Sequence, residues 1–210
     1  MSELAIRTGT GVLMIVVALV ALVAGGYVFA LLAAAAATAV FYEWTRLTRG
    51  WGAAWYIGGF LYSVAAALSL LWIRDRSDNA VALVLWVFIV VWSTDIGAYF
   101  SGRAIGGPKL APAISPGKTW AGFYGGIAAA TILGLAWSLF VGLNPILILL
   151  APLFSAAAQG GDLFESWIKR RAGVKDSGKW LPGHGGVFDR LDGLLPVAIL
   201  TAIAVIARTA

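Results

Sequence analysis

Residues 161–192 contain most of the chain's candidate chemistry. This stretch holds four Asp, one Glu, six Lys or Arg and the only His, in a sequence that is 60% hydrophobic and 12% charged. A charged side chain near the centre of a bilayer costs about 3 kcal/mol or more, so a dense cluster needs a reason beyond packing. A site that handles phosphates together with a metal ion is a natural reason.

The first part of this segment has the spacing of one helix face. Residues at i, i+3, i+4 and i+7 share a face of a helix. Four polar side chains have this spacing: Asp162, Glu165, Ser166 and Lys169. A glycine-rich loop follows at 173–186, where backbone N–H groups can approach an anion closely. The segment therefore combines acids, a hydroxyl group, cations and accessible backbone donors.

Two of the acids suit a divalent cation. Mg²⁺ usually takes one or two protein carboxylates and completes its shell with water and substrate phosphates. Asp162 near the end of one predicted helix and Asp189 at the start of the next fit that description. Cations that would hold a polyphosphate and stabilise the transition state of its transfer are Lys169, Arg170, Lys175 and Arg190.

The basic residues also have a plainer explanation. Cytoplasmic loops of membrane proteins are rich in Lys and Arg, which bind anionic lipid headgroups. That rule accounts for single basic residues here but does not call for the four Asp. A lone His in a glycine loop, such as His184, is better explained as a hydrogen-bonding or turn residue than as a base.

A second polar group lies inside an apolar stretch at Asp95. An acid there is costly unless it is paired or lines a water-filled cavity. Arg103, eight residues further on, is the alternative partner that would make Asp95 purely structural. The following loop carries Lys118 and Thr119, but its glycines lack the spacing of a nucleotide-binding P-loop.

The elements that must position these residues are membrane-spanning helices. A mean hydropathy of +0.88 is far above that of soluble domains. The chain has no cysteine, and we predict that any metal is held by oxygen. We predict an all-α, polytopic transmembrane bundle in a single domain, 1–210, with a cytoplasmic catalytic loop at 169–190. Its seven spans lie near 9–25, 27–46, 52–73, 79–101, 120–142, 145–168 and 191–207.

The distribution of positive charge predicts the orientation. With the N-terminus in the cytoplasm, twelve of the fifteen Lys and Arg lie on the cytoplasmic side, and only Arg74, Arg76 and Arg208 lie outside. The catalytic loop, Asp95 and Lys118 then face the same compartment. We expect the first apolar stretch to be a span and not a cleaved signal peptide.

The charged segment resembles the signature of the phosphatidate cytidylyltransferases, also called CDP-diacylglycerol synthases. The matching residues run from Ser166 through Lys169-Arg170 and Lys175-Asp176 to the loop 181–192, LPGHGGVFDRLD. Asp95 and the stretch 115–122, SPGKTWAG, also resemble family features. The chain is shorter than many bacterial members, which carry additional N-terminal spans, and we expect the C-terminal site to be intact.

The resemblance implies a reaction and a set of roles. The phosphate of phosphatidic acid would attack the α-phosphorus of CTP, giving CDP-diacylglycerol and pyrophosphate with Mg²⁺ as cofactor. Asp162 and Asp189 would be the metal ligands. We predict catalytic roles for Lys169, Arg170, Lys175, Asp176, His184 and Arg190. We predict substrate-binding roles for Asp95, Lys118, Thr119, Ser166 and Asp192.

Expected binding partners and alternative functions follow from the same reasoning. We expect the chain to bind CTP, phosphatidic acid and the lipid bilayer of a bacterial-type inner membrane, but no nucleic acid, and we leave a homodimer open. One rival is a related CTP-dependent transferase that acts on an ether or isoprenoid lipid. Another is a transporter, which is disfavoured because the sequence has no inverted repeat.

Overall fold

The computed structural model describes residues 3–76 and 79–209 and is mostly helical. Its helices are α1 Glu3–Ala24, α2 Gly26–Leu47, α3 Ala53–Arg76, α4 Ala80–Ile105, α5 Trp120–Val141, α6 Ile146–Arg171, α7 Phe188–Leu191 and α8 Leu194–Thr209. Two short strands, β1 Lys109–Ala111 and β2 Ser115–Thr119, lie between α4 and α5. The prediction of an all-α polytopic bundle is confirmed. The helices α1 to α6 are long and apolar enough to cross a membrane.

The segment predicted as a seventh span is divided. A four-residue helix, α7, is separated by Asp192 and Gly193 from the 16-residue α8. At 1.5 Å per residue α8 is roughly 24 Å long, which is less than the roughly 30 Å of a hydrocarbon core. Pro196 lies in the first turn of α8. Backbone N–H groups in a first turn have no partner within the helix, so proline is tolerated there. The break places Asp189 on α7 and Asp192 in the two-residue junction that follows it.

The loop after α4 forms an antiparallel hairpin that we did not predict. Lys109 pairs with Thr119 and Ala111 with Ser115. The second strand continues into α5 without an intervening loop, and Thr119 caps the helix by accepting the Gly122 N–H at 3.1 Å. Lys118 and Thr119 are therefore fixed at the start of a long helix.

Close contact between α4 and α5 depends on glycine. A Cβ added at Gly97 would lie 2.7 Å from the carbonyl oxygen of Gly125 and would also collide with Ala129. Small residues let two backbones approach in a membrane, where van der Waals packing holds helices together. This packing sets Asp95 on α4 beside the polar start of α5.

Two aromatic clusters support the remaining helices. Trp86 and Phe154 meet with ring centroids 5.7 Å apart, and the Trp86 indole donates to the Gly134 carbonyl at 3.2 Å. Nearer the charged loop, buried Trp44 packs 5.8 Å from the Phe188 ring. The second cluster anchors α7 against α2 and so supports the polar segment that precedes it.

Candidate functional site

A polar cavity of about 900 Å³ lies where α4, α5 and α6 meet the hairpin and the α6–α7 loop. Its wall includes every site residue predicted above except Ser166 and His184: Asp95, Lys118, Thr119, Asp162, Lys169, Arg170, Lys175, Asp176, Asp189, Arg190 and Asp192. Glu165, which we had placed on the polar face of its helix but given no role, also lines it. Residues from five elements thus meet in one space.

Three acids in the cavity wall form a tight cluster. One carboxylate oxygen each of Asp162, Glu165 and Asp192 lies within 4.8 Å of the others. The approach of α6 to Asp192 requires Gly161, because a Cβ there would collide with the Asp192 carbonyl. Like charges this close repel unless a cation or a proton is shared among them.

Lys118 and Ser166 both contact the first of these acids. The ammonium group of Lys118 lies 2.6 Å from Asp162 Oδ2. Ser166 is buried and donates its hydroxyl hydrogen to Asp162 Oδ1 at 3.3 Å. Ser166 therefore acts on the cavity through Asp162, although it does not line the wall itself.

Lys169 links two acids from different elements. Its Nζ lies 2.6 Å from Glu165 Oε2 on the same helix and 2.6 Å from Asp189 Oδ1 across the loop. The Glu165 side chain is 1% exposed and the Asp189 side chain 6%. In such a poorly solvated place, ionic contacts are strong and loss of one partner is costly. The remaining oxygen of Glu165, Oε1, has no hydrogen-bond partner among the described residues.

The second oxygen of Asp189 holds the glycine-rich loop. Oδ2 accepts the backbone N–H groups of Ser177 at 2.9 Å and Gly186 at 2.8 Å. Burial alone would favour the neutral acid, but interactions with Glu165, Lys169 and the Gly186 N–H outweigh it and lower the pKa of Asp189 to about 2. Asp189 is therefore a carboxylate that both orders the loop and orients Lys169.

Asp192 has the opposite electrostatic environment. Burial, followed by the neighbouring Asp162 carboxylate, raises the pKa of Asp192, although the Gly193 N–H donates to its Oδ1 at 2.7 Å. A divalent cation between the clustered acids would remove this repulsion. Asp189 and Asp192 are three positions apart in the sequence but differ in their partners and in their ease of ionisation.

The cavity also holds cations that are available to a ligand. Lys175 and Arg190 line it, and neither takes part in an ion pair within the described part of the chain. Arg170 donates to the carbonyls of Ile114 and Val174, each at 3.2 Å, and so ties the hairpin to the end of α6.

The polar residues of α4 are arranged differently from the Asp95–Arg103 pair that was the structural alternative for Asp95. Arg103 was the candidate partner of Asp95, but its Nη1 donates to the Tyr99 hydroxyl at 2.8 Å. Asp95, Tyr99 and Arg103 all line the cavity. Asp95 thus borders the polar space within an otherwise apolar helix.

His184 lies apart from the cavity wall. Its ring contacts α1, where a Cβ added at Gly11 would lie 3.5 Å from His184 Nε2. Its Nδ1 is buried and has no hydrogen-bond partner among the residues that the structure describes. The geometry places His184 at the junction of α1 with the loop.

Glu43 on α2 supports the site and was missed in the sequence. It is fully buried, and its carboxylate accepts the Ser177 hydroxyl at 2.7 Å and the backbone N–H groups of Val187 at 3.0 Å and Phe188 at 2.8 Å. A Cβ at Gly186 would collide with this carboxylate. A lone acid in an apolar helix was the available signal, because intramembrane acids are usually functional.

The chain is similar to known cytidylyltransferases. The model of the cytidylyltransferase family matches residues 48–207. A phosphatidate cytidylyltransferase of Brucella suis biovar 1 (strain 1330) is 51% identical over 157 residues, which cover 72% of this chain and 56% of the relative. One of Staphylococcus epidermidis (strain ATCC 35984) is 42% identical over 150 residues, covering 70% and 58%. The chain spans a little over half the length of these relatives. By the extent of the family match, the chain belongs to the cytidylyltransferase family.

Proposed function

We propose that the chain transfers the cytidylyl group of CTP to phosphatidic acid, giving CDP-diacylglycerol and pyrophosphate. The observation that carries the proposal is the polar cavity. Clustered carboxylates and several cations line this one space at the ends of membrane-spanning helices. The names of the relatives add to it, since they are phosphatidate cytidylyltransferases.

The reaction exchanges one phosphorus–oxygen bond for another. An oxygen of the phosphatidic acid phosphate attacks the α-phosphorus of CTP, and the bond to the oxygen that bridges to the β-phosphate breaks. Pyrophosphate leaves with that electron pair. The attacking phosphate is already ionised near neutral pH, so the chain need not supply a strong general base. Catalysis then depends on positioning and on charge stabilisation.

Mg²⁺ fits the acids of this cavity. Three carboxylates converge within 4.8 Å, and Glu165 Oε1 lacks a hydrogen-bond donor within the described residues. We propose that Asp162 is a ligand, with Glu165 and Asp192 beside it. The resemblance implies Asp189 as the second ligand, and its contacts with Lys169 and with the loop N–H groups would have to open for it to bind the ion. When bound, Mg²⁺ would supply positive charge that offsets the charge of the substrate phosphates.

The cations have separate roles in the proposal. Lys175 and Arg190, which take part in no ion pair among the described residues, would bind the phosphates of CTP and the departing pyrophosphate. Lys169 is oriented by Glu165 and Asp189 and directs its charge at the same space. Arg170 keeps the hairpin over the cavity, so that Lys118 and Thr119 complete its wall.

We also propose that the cavity opens to the cytoplasm from the inner membrane, where CTP is available. The basic residues around the cavity support this orientation, because cytoplasmic ends of spans carry the positive excess. Protease accessibility of the loop 172–187 in inside-out and right-side-out vesicles tests it. A homodimer remains a prediction, which the mass of the solubilised protein decides.

The activity test uses purified, folded protein with α-labelled CTP, Mg²⁺ and lipid. We expect labelled CDP-diacylglycerol from phosphatidic acid, and at most background product from Asp162→Ala or Asp189→Ala. Ether phosphatidic acid and polyprenyl phosphate serve as competing substrates, and a clear preference for either would replace the proposed lipid. Substrate flux through proteoliposomes without nucleotide turnover would overturn the enzymatic function.

A further inference from the structure

An apolar groove of about 410 Å³ runs beside α2 and ends at the polar cavity. We call it the α2–α8 groove. Phe29, Ala33 and Val40 line it from α2, and Leu195 and Ala198 line it from α8. Its wall is almost wholly hydrocarbon, in contrast to the charged wall of the cavity.

Arg190 joins the two spaces, because its side chain borders both the polar cavity and the α2–α8 groove. It is exposed and takes part in no ion pair within the described part of the chain. A cation outside any such ion pair at the end of an apolar groove complements a molecule with an anionic head and a hydrocarbon tail.

The direction of the groove is set by α2. Val40 lies one turn before Glu43, which accepts the Val187 N–H at 3.0 Å. Val187 and Leu191 both line the groove, so its Val40 end is the end nearest the site. Phe29 marks the opposite end, away from the charged loop.

The length of the groove matches one acyl chain. From Phe29 to Val40, α2 rises roughly 16 Å at 1.5 Å per residue. An acyl chain occupies about half of a hydrocarbon core of about 30 Å, which is about 15 Å. Phe29 is three residues from the start of α2 and Val40 is seven from its end, so a tail that fills the groove passes the middle of the span.

We propose that the α2–α8 groove holds one acyl chain of the phosphatidic acid substrate while Arg190, which also faces the phosphates of CTP in the proposed function, contacts the lipid phosphate where the two substrates meet. The inference rests on the proposed function and assigns its lipid subsite. An acyl chain gains little by moving from lipid into an apolar groove, because both are hydrocarbon. The groove acts instead by orientation: it holds the attacking phosphate at a fixed place relative to CTP.

The test places a bulky side chain from α2 into the groove. Ala36 lines the groove, whereas Ala34 on the same helix is exposed and does not. Ala36→Phe should lower kcat/KM for dioleoyl phosphatidic acid by about tenfold or more, since misplacement of a reactant is costly. With dihexanoyl phosphatidic acid, whose tails are too short to need the full groove, we expect a loss within about threefold. The matched control Ala34→Phe should change neither value by more than about twofold.

Two results would overturn the groove assignment while the wild type remains active. One is equal activity of Ala36→Phe and Ala34→Phe on both lipids, and the other is an equal loss on the long and short lipids. Thermal unfolding in detergent checks that each variant is folded. If Ala36→Phe does not fold, Ala36→Leu takes its place.

A binding measurement separates this inference from the activity itself. Phosphatidic acid with a diazirine on one tail should label the α2 segment 29–40 or α8 on illumination, and Ala36→Phe should reduce that labelling. If wild-type protein makes no CDP-diacylglycerol but is labelled there, the proposed function fails and the lipid groove stands. Labelling elsewhere only, or labelling that Ala36→Phe leaves unchanged, overturns the groove.

Discussion

Glu43 on the second helix accepts the backbone N–H of Phe188 at 2.8 Å. The same carboxylate also accepts the Val187 N–H and the Ser177 hydroxyl. Since Ser177 and Gly186 in turn donate their N–H groups to Asp189, Glu43 holds the two loop segments that position this site acid. The second helix is thus part of the support of the site.

Glu43→Gln should weaken both the fold and the reaction. The amide keeps one acceptor but turns an NH₂ group toward hydrogen-bond donors, so we expect a loss of about 2 kcal/mol in unfolding free energy. Activity should fall by about tenfold or more, as Asp189 loses its fixed loop. Ser177→Ala removes one of the three donors to Glu43. Its stability and activity should therefore fall between those of the wild type and those of Glu43→Gln. A Glu43→Gln protein with wild-type melting temperature and turnover would contradict this role.

Removal of divalent cations should abolish turnover, and Mg²⁺ should restore it. In Asp162→Asn, the Mg²⁺ concentration for half-maximal activity should rise by about tenfold or more, because the variant loses a charged ligand. Asp75→Asn, an exposed acid near the end of α3, is the control and should leave the titration unchanged. Full activity in excess EDTA would remove the metal from the proposal.

Lys169→Met should reduce kcat by about a hundredfold or more, because it removes a preorganised charge from the reaction space. Lys169→Arg should rescue little, since a planar guanidinium cannot take the place of an ammonium that lies 2.6 Å from two acids. Lys179, which is exposed and outside the cavity wall, supplies the control variant Lys179→Met. Steady-state kinetics at saturating CTP and lipid measure the effect. Equal kcat values for the two Met variants would show that Lys169 has no catalytic part.

Gly97→Ala should separate α4 from α5 and lower the melting temperature by several degrees. Its new methyl group would lie 2.7 Å from the Gly125 carbonyl oxygen. Because this contact is too short, the backbone of one helix must move away from the other. Gly58→Ala is the matched control, because a Cβ there meets nothing within 4 Å and Ala favours the helix. Thermal unfolding of both variants in the same detergent decides the point. An unchanged melting temperature for Gly97→Ala would mean that the two helices tolerate a wider spacing.

Much of the cavity wall could be predicted because its charges are concentrated in one segment of an apolar chain. Helical spacing predicts that Asp162, Glu165 and Lys169 share a face, and these three residues do line the cavity. The apolar runs likewise predicted the all-α bundle.

Other features depend on contacts that local patterns do not encode. Glu43 and Ser177 are far apart in sequence, and only the packing of α2 against α7 brings them together. The different surroundings of Asp189 and Asp192 arise from the break after α7, which a continuous apolar pattern does not reveal. The hairpin was missed because Pro and Gly in the loop indicated only that helix was disfavoured.

The direct junction of β2 with α5 gives the bilayer a mechanical connection to the charged cavity. No flexible residues separate the Lys118 ammonium, 2.6 Å from Asp162, from a 22-residue rod that crosses the membrane. A tilt of α5 relative to α6, adopted to match a thicker or thinner lipid layer, would move that ammonium relative to the acid on α6. Membrane thickness is therefore a physical variable that reaches the centre of the molecule through one strand and one helix.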